Sequence, residues 1–124
     1  MISLDVYWYA HMLGVALLIL SVGGVALHAM SGGTKETSGG RAIAAASHGL
    51  GSLLILVAGF GMLARLELMS GGLPGWAWAK MAIWLTLALA FVVPYRRPEL
   101  SKLVWFGAAL LMLLAAILAH SKPF

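Results

Sequence analysis

Four apolar stretches separated only by short polar segments decide most of what this chain can become. They cover roughly 6–30, 41–64, 76–93 and 101–120. A helix rises 1.5 Å per residue, so about 20 apolar residues cross a hydrocarbon core ~30 Å thick. The sequence therefore predicts an all-α integral membrane protein. It forms one transmembrane domain over 1–124, a four-helix up-down bundle. Composition supports this. Hydrophobic residues make up 62% and charged residues 10%, against nearer half and a quarter in soluble domains. A small soluble domain leaves too much surface exposed to hide that apolar excess. The first stretch has no basic region before it and no small-residue cleavage site after it, so it reads as a retained span.

The segments between the spans read as interface and turn. Tyr7, Trp8 and Tyr9 open the first span, where amphipathic rings prefer the membrane boundary. Ser31 to Gly40 is a Gly/Ser/Thr loop, and the Ser70 to Gly75 turn follows the second span. Pro94, Tyr95, Arg96, Arg97 and Pro98 make a stiff basic turn. With four spans both termini share one end of the bundle, side A. Side B then carries Lys35, Arg41, Arg96, Arg97 and Lys102, and side A carries Arg65, Lys80 and Lys122. Basic residues in short loops favour the cytoplasm. The expectation is a bacterial inner membrane protein with both termini in the periplasm.

The chain has no cysteine. That excludes disulfides, thiolate nucleophiles, cysteine-held iron–sulfur clusters and c-type haem attachment. The net charge of +4 reports topology and contact with anionic lipid, not nucleic acid. Asp5, Glu36, Glu67 and Glu99 all lie at span ends or in loops, so no mid-span carboxylate is available for cation-coupled transport.

Ionisable residues inside spans are costly and mark functional positions. Here they are His11, His28, His48, His120 and Lys80, with Arg65 and Glu67 close to the boundary, where water reaches them. His48 has Ala44, Ala45, Gly51 and Ser52 as its neighbours three and four positions away. Such small residues serve either a helix–helix seam or a flat slot for a planar cofactor. Neutral imidazole is a common axial ligand of haem iron. His28 and His48 lie toward side B on adjacent helices and make one axial pair, although His48 sits about 5–8 Å deeper. The other set, on side A, is His11, Lys80 and His120 with Met12, Met62 and Met81 at similar depth. The metal-ligand candidates are His48 and His11. Lys80 suits a propionate or another carboxylate. Each residue also has a plainer reading. The histidines serve as hydrogen-bonding groups between helices, Lys80 snorkels to the interface, and the methionines pack.

Three motifs carry a family resemblance: Trp8-Tyr-Ala-His11, the run from Ser47-His48-Gly-Leu-Gly through Gly59, and Trp76-Ala-Trp-Ala-Lys80. Together they resemble the SirB-like small bacterial membrane proteins and, more distantly, the HemJ-type protoporphyrinogen oxidases. The ending Lys122-Pro-Phe124 is also similar to the close of HemJ-type chains. Both families carry an arginine late in the first span, where this chain has His28. The resemblance implies a four-helix membrane bundle. Through the HemJ-type branch it implies b-type haem and redox chemistry, with His11 and Lys80 at the matching positions. The readings that follow are a haem b-binding membrane redox protein, an accessory subunit of a larger membrane complex, or a small homo-oligomeric transporter or channel.

Overall fold

A computed structural model describes residues 2–124. Four helical spans, Leu4–Met30, Arg41–Arg65, Gly75–Arg96 and Pro98–Ser121, are long and apolar enough to cross a membrane. Helix α1 covers Leu4–Met30, α2 covers Arg41–Arg65 and α3 covers Gly75–Ala90. A short helix α4, Val93–Arg96, and a 3-10 turn, Pro98–Leu100, lead into α5, Ser101–Ser121. Among the described residues there is no β-strand, only an isolated bridge between Ser70 and Gly72.

Local chemistry sets the boundaries. The Ser3 hydroxyl accepts from the Val6 amide at 3.3 Å, and Asp5 sits in the first turn, where the helix dipole favours an anion. At the other end of α1, Gly32 takes φ +85°. The Gly33 amide then reaches back to the His28 carbonyl at 3.0 Å, closing the helix with a left-handed cap. The third apolar stretch stops being one helix at Ala90, short of the residue 93 read from hydropathy. Pro94 causes this. It lacks an amide, and its ring crowds the carbonyl four residues back, which is that of Ala90. The chain restarts with buried Pro94 inside the first turn of α4.

Helix α1 is the most enclosed of the four. Its Leu18, Val22, Val25 and Ala26 are almost fully buried and recur at helical spacing along one stripe. It packs along α2 and against α5, and α3 packs against α5. Helices α2 and α3, though neighbours, touch only sparsely. The bundle is thus two helix pairs hinged on α1 and α5, with a loose seam between α2 and α3.

The α1–α2 crossing is made by two glycines. A methyl group built on Gly14 would lie 2.8 Å from the Gly51 carbonyl oxygen and 2.9 Å from the Ile55 amide nitrogen. One built on Gly51 would lie 2.8 Å from the Gly14 carbonyl oxygen and 2.9 Å from the Leu18 nitrogen. The backbones are in direct contact there, as small-residue helix interfaces allow. Gly51 is therefore a seam residue. The second possibility read from the sequence, a flat cofactor slot beside it, is filled by the backbone of α1.

The loose α2–α3 seam is pinned toward side B. The Trp84 indole Nε1–H donates to the Ser52 carbonyl at 3.0 Å. The His48 ring stacks on Phe91 with centroids 4.2 Å apart and planes 7° from parallel. Trp84→Phe removes the hydrogen bond and keeps most of the ring. The expected loss is about 0.6–1.7 kcal/mol, the range for such bonds between membrane helices. Thermal unfolding in detergent checks this as a drop of a few degrees.

Candidate functional site

Toward side A the two helix pairs part and leave a cleft of about 550 Å³. The first half of α1, the last half of α2, most of α3 and the end of α5 line it. The sequence-derived set of His11, Lys80, His120, Met12, Met62 and Met81 is brought together here, since all six line this cleft. Trp8, Trp76, Trp84 and Met112 join them. Nothing in the sequence sets Trp84 or Met112 apart from the packing residues around them; only the direction each takes off its helix does so.

His11 is the best-defined group. Its Nδ1 lies 3.0 Å from the Ile55 carbonyl oxygen of α2. A carbonyl only accepts, so Nδ1 carries a proton, and in the neutral imidazole Nε2 keeps its lone pair. This is the arrangement by which proteins orient a ligating imidazole, with one nitrogen donating to a carbonyl and the other presented to the ligand. The ring lies over Gly59, whose added methyl would be 3.5–3.6 Å from it, an ordinary contact. It is the Ile55 bond that holds the imidazole.

Lys80 comes from the second turn of α3 and is half-buried in the cleft wall. It makes no hydrogen bond or ion pair among the described residues. Lys122 stands at the side-A rim. Its ammonium lies 5.4 Å from the centre of the Trp76 ring and donates to the Ala119 carbonyl at 2.5 Å. No Asp or Glu lines the cleft. The electrostatics are therefore one-signed: two ammonium groups in an apolar surround with no carboxylate to answer them.

The end of the chain closes this rim. The Phe124 carbonyl accepts from the Trp76 amide at 3.1 Å. The Phe124 ring lies so close to Gly75 that a methyl group there would be 2.6 Å from it. Trp76 opens α3, and its amide is one of those a helix start leaves without an internal partner. The tail supplies that partner and fixes the end of α5 against the start of α3.

The side-B histidines behave differently. The His28 Nε2 donates to the Thr34 carbonyl at 2.8 Å, with the Thr37 hydroxyl 3.3 Å away. That nitrogen carries a proton and has no lone pair for a metal. His48 is occupied against Phe91, and its Nδ1 is covered without a hydrogen-bond partner, as is the Ser52 hydroxyl one turn on. The axial pair of His28 and His48 is not brought together, because one ring holds the α1–α2 loop and the other packs on α3. Ala44 is half-buried and Ala45 exposed, so the small-residue stripe lies partly open. Among the described residues, no three His, Asp or Glu side chains gather as a metal cage would require.

Fold and site together define an all-helical bundle with four helices of membrane-crossing length and an apolar, cationic cleft between its two helix pairs. No family model, curated protein or solved structure matches the chain.

Proposed function

We propose that the chain is an integral membrane protein of the bacterial inner membrane that binds b-type haem in the side-A cleft and takes part in membrane redox or haem-related chemistry. One observation carries this reading. An imidazole with its proton fixed on the far nitrogen shares an apolar cleft with a partnerless Lys80, and no acidic residue lines that cleft. Haem supplies four of its own nitrogens to iron and asks the protein for one or two axial groups, so a three-residue cage is not needed. His11 would offer Nε2 to the iron. Lys80 and Lys122 would answer the two propionates. A thioether from the cleft methionines, or His120, would be available as a second ligand. A volume of about 550 Å³ lies within the ~300–1,000 Å³ typical of sites for compact ligands.

When bound, haem supplies a one-electron couple whose potential follows its axial ligands and the dryness of its pocket. The chain's own residues orient the imidazole, neutralise the acid groups and keep water out with Trp8, Trp76 and Trp84. The excess of basic residues on side B favours the cytoplasm for that side and the periplasm for both termini and the cleft mouth. The test is a reduced-minus-oxidised absorption spectrum of detergent-purified protein made with full haem supply. Sharp b-type bands near one haem per chain are expected. A flat spectrum overturns the haem reading.

A further inference from the structure

A second cavity, of about 300 Å³, lies at side B between the α1–α2 loop and the turn after α3. Thr34, Lys35, Glu36, Val92, Tyr95 and Arg96 line it. Its walls are held in place. His28 grips the Thr34 carbonyl at 2.8 Å, and the Thr34 amide donates to the Thr37 hydroxyl at 2.8 Å. Pro94 fixes the opposite wall as the buried first turn of α4. The side chains are uncommitted. Lys35 and Arg96 are exposed and form no ion pair, and the Tyr95 hydroxyl has no hydrogen-bond partner.

Two cations, a phenol donor and one carboxylate make a specific recognition pattern. Lys35, Arg96 and Tyr95 suit a phosphate. The Tyr95 hydroxyl is itself covered, so the exposed Lys35 and Arg96 carry the phosphate contact. Glu36 repels a bare anion but accepts from a hydroxyl or ammonium group carried beside the phosphate. Below the pocket the surface turns apolar, with Val92 43% and Leu89 62% exposed. An amphipathic ligand thus finds its polar and apolar parts answered in the right order. We propose that this pocket holds the phosphodiester head group of a phospholipid, with the phosphate between Lys35 and Arg96 and the head group's donor on Glu36. Basic pockets at helix ends serve this purpose in other membrane proteins. The inference rests on the membrane reading above. It gives His28 a role as a positioning residue, because that ring fixes the loop that carries Lys35 and Glu36.

The test is native mass spectrometry of the full chain in detergent, offered phosphatidylglycerol in one arm and inorganic phosphate in another. One bound lipid per chain is expected. The double variant Lys35→Gln/Arg96→Gln should reduce the bound fraction about tenfold or more. Lys102→Gln, on the same side but outside the pocket, should leave it within about twofold. Equal loss with Lys102→Gln overturns the site in favour of diffuse attraction. Binding of phosphate as tight as that of lipid overturns the head-group reading in favour of the free ion. An alkaline carbonate wash of membranes separates the two levels: a chain that stays in the pellet yet retains no lipid refutes the pocket alone.

Discussion

Gly51→Val is expected to destabilise the bundle strongly, while Gly49→Val two residues earlier leaves it nearly unchanged. A side chain at Gly51 meets the Gly14 carbonyl and the Leu18 amide nitrogen inside 3 Å, and both are backbone atoms of α1. Neither can rotate away as the end of a flexible side chain would. The two helices must separate along the stripe where Leu18 and Val22 are fully buried. Overpacking in a close-packed interior costs about 1–3 kcal/mol and more where backbone must move; here two extra branches are added beyond the methyl that already collides. A melting temperature lower by on the order of 10 °C, or loss of the monodisperse peak in detergent, is the expected result. Gly49 has nothing within 4 Å of its built methyl, so it controls for the change in helix propensity. Equal loss at both positions would show that the crossing is not what holds α1 to α2.

The second large effect is on ligand binding. His11→Ala is expected to abolish the b-type bands, reducing bound haem at least about tenfold, while His48→Ala retains them. The contrast follows from where each free nitrogen lies. His11 keeps a lone pair on Nε2 in the cleft because Nδ1 is committed to Ile55. His48 is stacked on Phe91, and its Nδ1 is covered. His11→Ala also loses the interhelical bond to Ile55, worth about 1 kcal/mol, so the variant should stay folded. Partial return of the bands with imidazole in the buffer would separate a lost ligand from a lost fold. Bands that vanish with His48→Ala and persist with His11→Ala would move the haem to side B and refute the cleft assignment.

The sequence alone determined the elements. Four apolar runs of crossing length leave the chain few alternatives to helix, since backbone groups facing lipid must be satisfied within the segment. The loop 31–40 and the basic turn around Pro94 were legible from Gly, Ser and Pro chemistry. So was the depth of each histidine, because rise per residue is fixed. The side-A group of His11, Lys80, His120 and three methionines could be read from depth alone, and the structure places all of them on one cleft.

Only the tertiary structure decided which of those residues stay free. Depth says nothing of rotation about a helix axis, and nearly uniform apolarity gives little periodicity from which to read it. Hence the small-residue stripe around His48 favoured a seam but left a slot open, and at Gly51 the direct backbone contact with Gly14 makes a seam. His28 and His48 were paired in the sequence by their place toward side B, yet one ring holds a loop and the other packs on Phe91. His11 alone of these three combines a hydrogen bond that fixes its tautomer with a place on the cleft. The partner in that bond is a backbone carbonyl 44 residues away on another helix, and every residue type has such a carbonyl. Its position is set by how helices cross, so no sequence pattern announces it.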